Sequence, residues 1–99
     1  MLIKTHEGYR KTVAISDTNL LGKTFTEDNK QITIHKPFFE GEEKTKQEII
    51  PIIRDLQKED ATFNIVGKES IQTALEAGII KKHGIIKIDN IPLALVLLW

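Results

Sequence analysis

Apolar and polar positions alternate along the first part of the chain, which is the pattern of β-strands with one buried face. Two such segments, residues 2–6 and 9–16, lie on either side of a turn at Gly8. Glycine supplies the positive φ that a tight turn requires. Residues 31–35 alternate again and are followed by Pro37, which ends a strand. The pattern therefore predicts an amino-terminal hairpin and a third strand.

The segments around the third strand lack a regular period. Residues 20–25 are predicted to form a compact apolar connection, and residues 26–30 a polar loop. Residues 40–43 are predicted to form an acidic loop. None of the three segments carries the spacing of a helix or a strand.

A change to three- and four-residue spacing marks the first predicted helix. Thr45 and Glu48 match a capping box, in which each side chain accepts a hydrogen bond from the backbone amide of the other residue. Pro51 lies inside the helix and removes one backbone hydrogen bond. We therefore expect a kink near Gln47, or a regular helix that begins later than the cap. The apolar face comprises Ile49, Ile52, Ile53 and Leu56.

The second half of the chain changes between strand and helix patterns. Residues 61–66 predict a strand, and residues 69–77 predict a shorter helix that ends at Gly78. Residues 85–88 and 93–98 predict two further strands on either side of a turn.

These elements together predict an α+β fold. We expect a mixed sheet of five or six strands, the amino-terminal hairpin and two helices, in a single domain of residues 1–99. The unit of residues 61–88 is a right-handed crossover if its two strands are parallel. The last strand is apolar on both faces, which predicts a central, covered position. The alternative is that residues 91–99 pair with a second copy of the chain or with a partner protein.

Composition restricts the chemistry. The chain has no Cys, which removes thiolate nucleophiles and cysteine-based metal centres and is typical of the cytoplasm. His6, His35 and His83 lack the paired spacing of a metal site. The longest apolar run is about half a membrane span. We therefore expect a cytoplasmic protein with no membrane segment, no metal site, no cofactor and no catalytic residue that the sequence identifies.

One turn in the sequence is a candidate for binding an anion. The strand that contains Asn64 leads through Gly67 into a helix that carries Lys68 and Ser70 in its first turn. A helix start leaves backbone amides without partners, and these amides bind anions. The alternative is that Gly67 only makes a tight turn and that Asn64 or Ser70 satisfies backbone groups.

Charge is balanced over the whole chain but not locally. The formal net charge is zero, from 14 basic and 14 acidic side chains, so any contact with nucleic acid depends on local clusters. Arg10 and Lys11 form one cluster and Lys81 and Lys82 another, and with Lys23 they are the candidates for RNA phosphate contacts. Unpaired bases stack on exposed aromatic rings, for which the candidates are Tyr9, Phe25, Phe38 and Phe39.

Four short motifs together resemble one known family. They are Leu20 to Phe25 after the hairpin, Asn64 to Gly67 before the shorter helix, Gly78-Ile79-Ile80, and Ile91-Pro92. In this order, and over nearly the whole chain, they resemble the small archaeal proteins grouped as domain of unknown function family 424. The resemblance implies an archaeal host, a stand-alone cytosolic α+β domain and a loose association with translation.

Three functional hypotheses follow. The first is a non-enzymatic module that binds RNA or a component of the ribosome or translation machinery through the basic clusters. The second is a small-ligand or enzymatic site at the Gly67 turn. The third is protein assembly through residues 91–99.

Overall fold

The fold consists of eight strands and three α-helices in the computed structural model, which describes residues 1–97. The strands are β1 (Leu2–His6), β2 (Thr12–Ser16), β3 (Thr24–Glu27), β4 (Lys30–Thr33), β5 (Glu42–Glu43), β6 (Thr62–Val66), β7 (Ile86–Ile88) and β8 (Ile91–Val96). The helices are α1 (Lys36–Phe39), α2 (Lys46–Lys58) and α3 (Lys68–Ala77). Six strands form one sheet in the order β5–β1–β2–β6–β8–β7. The predicted α+β class, the mixed six-stranded sheet and the amino-terminal hairpin are confirmed.

Strand direction assigns the connecting loops to two ends of the sheet. β2 and β6 are parallel, and β8 is antiparallel to both β6 and β7. β6 and β7 therefore run in the same direction with β8 between them. We call the end at which β2, β6 and β7 begin the leading end, and the end at which they finish the trailing end.

Each face of the sheet packs against a different layer. α2 and α3 cover one face, where Ile53 of α2 and Phe63 of β6 are fully buried in the larger core cluster. α1 and the β3–β4 hairpin cover part of the other face, where a smaller cluster contains Ile34, Phe39 and Val66. The central strands β2 and β6 are thus covered on both sides, which explains their nearly continuous apolar sequence.

The region between β2 and α2 differs from the prediction. Residues 24–27, assigned to an apolar connection and a polar loop, form β3, which pairs with β4 in a separate two-stranded sheet. Asp28 adopts a φ of 55° in the turn between these strands. Residues 42–43, predicted as loop, form β5 at the edge of the main sheet. The strands are too short for their alternation to be recognised in the sequence.

Pro37 has a different role from the one predicted. β4 ends at Thr33, four positions before this proline, and Pro37 instead occupies the first turn of the unpredicted helix α1. A proline is compatible with the first turn because the amides there have no partner within the helix.

The capping box at the start of α2 is confirmed. Thr45 Oγ1 accepts the Glu48 amide at 3.3 Å, and Glu48 Oε1 accepts the Thr45 amide at 2.9 Å. The bond from the Thr45 backbone amide, together with a 3.1 Å bond from the Thr45 hydroxyl to Glu48 Oε1, lowers the pKa of the Glu48 carboxyl. α2 begins directly after Thr45 and continues through Pro51 to Lys58. The expectation of a later start for the regular helix is therefore wrong.

Thr45→Ala is expected to destabilise the protein by about 1 kcal/mol, because it leaves the Glu48 amide without its side-chain acceptor. Urea denaturation followed by circular dichroism at neutral pH measures the change. Gln47→Ala is the matched control, since Gln47 is exposed on the same helical turn. A control variant that loses as much stability as Thr45→Ala would contradict this role of the cap.

The last described strand is buried over its first half. Leu93 and Ala94 are buried, whereas Leu95 and Leu97 are 57% and 54% exposed. β8 lies between β6 and the edge strand β7, so the predicted central, covered position holds for Pro92 to Ala94 but not for the exposed Leu95. Leu98 and Trp99, which belong to the predicted strand 93–98 and to the predicted assembly surface 91–99, lie outside the described residues. Assembly through this segment stays a prediction.

Candidate nucleic-acid interface

One carboxylate joins β2 to α3 at the trailing end. Asp17 follows β2 directly, and its Oδ2 accepts the Glu69 amide at 3.1 Å. Its Oδ1 accepts the amide and the hydroxyl of Ser70, both at 2.8 Å. Asp17 therefore supplies, from a distant part of the chain, the negative charge that a helix amino terminus favours.

Gly67 allows this carboxylate to approach α3. Its φ is +111°, a conformation that L side chains rarely adopt, and a Cβ at this position would lie 2.3 Å from the Cγ of Asp17. The Gly67 amide also donates to the Pro92 carbonyl at 2.9 Å. Glycine is required here both for its backbone conformation and for the space that Asp17 occupies.

These contacts bear on the predicted anion site. The amides of Glu69 and Ser70, which would receive an external anion, already donate to Asp17. Ser70 itself is buried, and Lys68 is exposed. An external anion would therefore have to displace the carboxylate of Asp17.

Asn64 does not contribute to the α3 terminus. Its strand neighbours Phe63 and Ile65 belong to the core cluster that α2 and α3 cover. Because successive side chains in a strand point to opposite faces, the Asn64 side chain lies on the other face of the sheet. Asn64 pairs with Leu95 across the β6–β8 ladder. The four predicted residues Asn64, Gly67, Lys68 and Ser70 are thus not brought to one site.

The leading end brings together two basic pairs that are distant in sequence. Arg10 and Lys11 immediately precede β2, and Lys81 and Lys82 lie in the connection that leads into β7. β6 and β8 lie between β2 and β7, so the two strands that follow these pairs are about three strand spacings apart, roughly 14 Å. Lys58 ends α2, which leads into β6 at the same end.

Lys23 lies elsewhere. It follows a short 3₁₀ turn, Thr18–Leu20, that comes directly after β2. Its carbonyl accepts the Ile34 amide at 2.9 Å, and its own amide donates to the Leu20 carbonyl. Lys23 is therefore at the trailing end, and the structure does not bring it together with the other four predicted phosphate contacts.

Carboxylates outnumber the cations around the first basic pair, because Glu7, Glu59 and Asp60 line one pocket together with Arg10 and Lys11. Lys11 Nζ lies 2.9 Å from Glu59 Oε1, and this hydrogen bond is the main cause that raises the pKa of the Lys11 ammonium. Within residues 1–97, Arg10, Lys81 and Lys82 take part in no ion pair. Of the four predicted phosphate contacts at this end, these three are therefore available to an external anion.

Of the four aromatic residues predicted to stack on bases, Tyr9 is the one exposed at the leading end. It is fully exposed and lies next to Arg10 in the β1–β2 turn. The other three candidates for stacking are at least partly buried. Phe39 is in the core, Phe25 packs against that core, and Phe38 stacks on His6 with ring centroids 4.7 Å apart. Tyr9 differs from the other three candidates in the exposure of its side chain, which could not be predicted from the sequence.

A groove that the sequence did not indicate opens at the leading end. It has a volume of about 500 Å³ and lies between the α3–β7 connection and the end of β8. Lys81, His83 and Gly84 form one wall, and Leu95 and Leu97 belong to the other. The groove therefore combines an apolar strand with one of the two basic segments.

The described part of the chain lacks two other kinds of site. Residues 1–97 contain no cluster of three or more His, Asp or Glu side chains arranged to hold a metal ion. Among the same residues, no helix has the length and apolar character needed to cross a membrane.

Comparisons with known proteins give a sequence family and one structural neighbour. The sequence model of a family described as "Protein of unknown function (DUF424)" matches residues 4–98. The crystal structure of an uncharacterized conserved protein from Methanopyrus kandleri matches with a TM-score of 0.84 at 20% sequence identity, covering 99% of this chain and 93% of that chain. At this identity the likeness shows the fold alone. No curated protein matches the chain.

Proposed function

Since the chain belongs to the DUF424 family, we propose that it is an archaeal, cytoplasmic and non-enzymatic module that binds RNA, alone or within the translation machinery. Arg10, Lys11, Lys81 and Lys82 at the leading end contact phosphates, and Tyr9 stacks on an unpaired base. The protein contributes binding rather than chemistry.

The observation that carries this proposal is the convergence of the two basic pairs. They are separated by about 70 residues of sequence, yet strand direction puts both at the leading end. The sugar–phosphate backbone of a single RNA strand can cross the roughly 14 Å between β2 and β7 with a few nucleotides. Arg10, Lys81 and Lys82 have no ion pair in residues 1–97 that a phosphate would need to break.

Tyr9 adds a second feature to the same surface. A fully exposed aromatic ring next to an unpaired Arg is the combination that single-stranded nucleic acids bind by stacking and phosphate contact. Burying this ring against a base would also remove an apolar surface from water.

The small-ligand alternative has less support. Its backbone amides already bind Asp17, and Asn64 faces away from them. A ligand at the Gly67 turn would have to displace the Asp17 carboxylate. Because Asp17 belongs to the same chain, it stays close to these amides at any ligand concentration.

Binding of a fluorescently labelled, unstructured 12-nucleotide RNA, followed by anisotropy at several salt concentrations, tests the proposal. If four cations contact phosphates, the logarithm of the affinity falls linearly with the logarithm of salt concentration, with a slope of about −3. An affinity that does not change with salt, or no binding at low salt, would contradict the proposal.

A further inference from the structure

β8 extends beyond its neighbour at the leading end. β7 pairs with β8 from Ile88 opposite Ile91 to Ile86 opposite Leu93. β8 continues to Val96 and pairs on its other side with β6. Before β7, the chain leaves the sheet in a 3₁₀ turn, Lys82–Gly84. Among residues 1–97, no strand therefore pairs with the β7 side of β8 next to Leu95.

The hydrogen-bond direction shows which backbone groups are open. The Pro92 carbonyl accepts a hydrogen bond from the Gly67 amide, so it points towards β6. In an antiparallel ladder the backbone N–H and C=O groups of successive residues point alternately to the two neighbouring strands. The N–H and C=O of Ala94 therefore point towards β6, and those of Leu95 point towards β7. The Leu95 N–H and C=O consequently face the groove, and within residues 1–97 neither takes part in a bond of the turns or loops.

The groove beside these groups has the size and surroundings of a small binding site. Its volume of about 500 Å³ falls within the range of pockets that hold one small organic group. Ile79 and Ile80 contribute apolar surface, and Lys81 and His83 contribute polar atoms at the rim. An unpaired donor and acceptor on one residue thus lie next to apolar walls and a cation.

We propose that this groove holds one unpaired nucleobase of the bound RNA, an inference that rests on the RNA-binding function proposed above. The Leu95 N–H donates to the base and the Leu95 C=O accepts from it, in the place that the next residue of a longer β7 would occupy. Lys81 contacts the phosphate of the same nucleotide. The ring is covered by the apolar walls of the groove.

The chemistry selects unpaired RNA rather than a particular base. Each of the four bases carries a donor next to an acceptor on its Watson–Crick edge, so each can satisfy the N–H and C=O of one extended residue. In a duplex this edge is already paired and is not available to the protein. The groove therefore discriminates between single-stranded and double-stranded RNA.

A peptide strand would present the same donor and acceptor but fits the groove less well. β7 occupies the edge of β8 as far as Leu93, so the described open edge extends from Ala94 to Leu97. A strand added to an edge gains affinity from a row of main-chain bonds, and this edge is too short for such a row. A base needs only the two groups of Leu95.

Filling the groove tests the inference. Gly84 lines the groove, and a Cβ there would meet no atom within 4 Å. Gly84→Leu is expected to weaken binding of an unstructured 12-nucleotide RNA about tenfold, the loss typical of one base contact. Affinity for a 12-base-pair RNA duplex is expected to stay within about twofold, because phosphate contacts remain. Gly84→Ala is the matched control and is expected to bind as the wild type does.

The outcomes distinguish this inference from the function on which it rests. No binding of either RNA by the wild-type protein overturns both. If the wild type binds RNA and Gly84→Leu binds it with the same affinity, the groove inference alone is overturned. It is also overturned if Gly84→Leu loses affinity equally for single-stranded RNA and for the duplex.

Hydrogen exchange of the wild-type protein is a second measurement. The Leu95 amide is expected to exchange faster than those of Ala94 and Val96, and to slow when RNA is added; no slowing would contradict its contact with a base.

Discussion

Gly67→Ala is expected to destabilise the protein by about 3 kcal/mol or more, the largest loss among the substitutions considered. A positive φ at a residue with a Cβ costs of order 1 to 3 kcal/mol. The new Cβ would also lie 2.3 Å from Asp17 Cγ, which displaces the carboxylate from the Glu69 and Ser70 amides. Loss of these bonds to a charged group, of which one is exposed and two are partly buried, costs about 1 to 3 kcal/mol more. Urea denaturation followed by circular dichroism measures the total.

Two comparisons make this prediction specific. Gly84→Ala is the matched control, because its Cβ meets no atom within 4 Å and its φ is not in the left-handed region; it is expected to be nearly neutral. Asp17→Ala removes the side chain that Gly67→Ala would strike. In the Asp17→Ala background the second substitution is therefore expected to cost less, since only backbone strain remains. Equal costs in both backgrounds would contradict the steric account.

Replacing Lys81 and Lys82 together by Glu is expected to weaken RNA binding at least tenfold. The double substitution removes two phosphate contacts and adds two charges that repel the backbone. Because each contact to single-stranded nucleic acid contributes about 0.7 to the slope of log affinity against log salt, the slope is expected to fall by about 1.4. Anisotropy titrations at several salt concentrations measure both quantities.

Lys23→Glu is the matched control for this prediction. Lys23 was a candidate for the same role, but the chain carries it to the trailing end, beside Ile34. Its reversal changes the net charge in the same sense as either Lys81→Glu or Lys82→Glu and is expected to leave the salt slope unchanged. If Lys23→Glu weakens binding as much per charge as the double variant does, the leading end is not the binding surface.

The sequence predicted those parts of the fold that depend on residues close to one another along the chain. The capping box depends only on Thr45 and Glu48, which are three residues apart, and the strand at residues 62–66 is marked by its own composition. Gly78 ends α3 in a left-handed conformation, with a φ of 80°, as a glycine after a helical pattern predicts.

The features that were missed depend on residues far apart in sequence. Gly67 could be recognised as a turn, but the reason for glycine is the carboxylate of Asp17, 50 residues earlier. Nothing in the local pattern identifies Asp17 as the ligand of the α3 amides. β3 and β5 have four and two residues, and alternation over so few positions does not separate a strand from a connection or loop.

The same limit applies to the candidate site. The sequence identified Arg10, Lys11, Lys81 and Lys82 individually, but strand direction alone determines that they share one end while Lys23 does not. The open backbone of Leu95 depends on the register of β7 against β8. Register of this kind is a property of the assembled sheet and cannot be derived from the composition of either strand.

The most direct test of the RNA-binding surface is an NMR titration of the ¹⁵N-labelled protein with an unstructured 12-nucleotide RNA. Amide shift changes are predicted to concentrate at Tyr9, Arg10 and Lys11, at Lys81 to Gly84, and at Leu95. The amides of Gly67, Glu69 and Ser70 are predicted to stay unchanged, because they remain bonded within the protein. Shift changes centred on the Gly67 turn, or none at a saturating RNA concentration, would contradict the account.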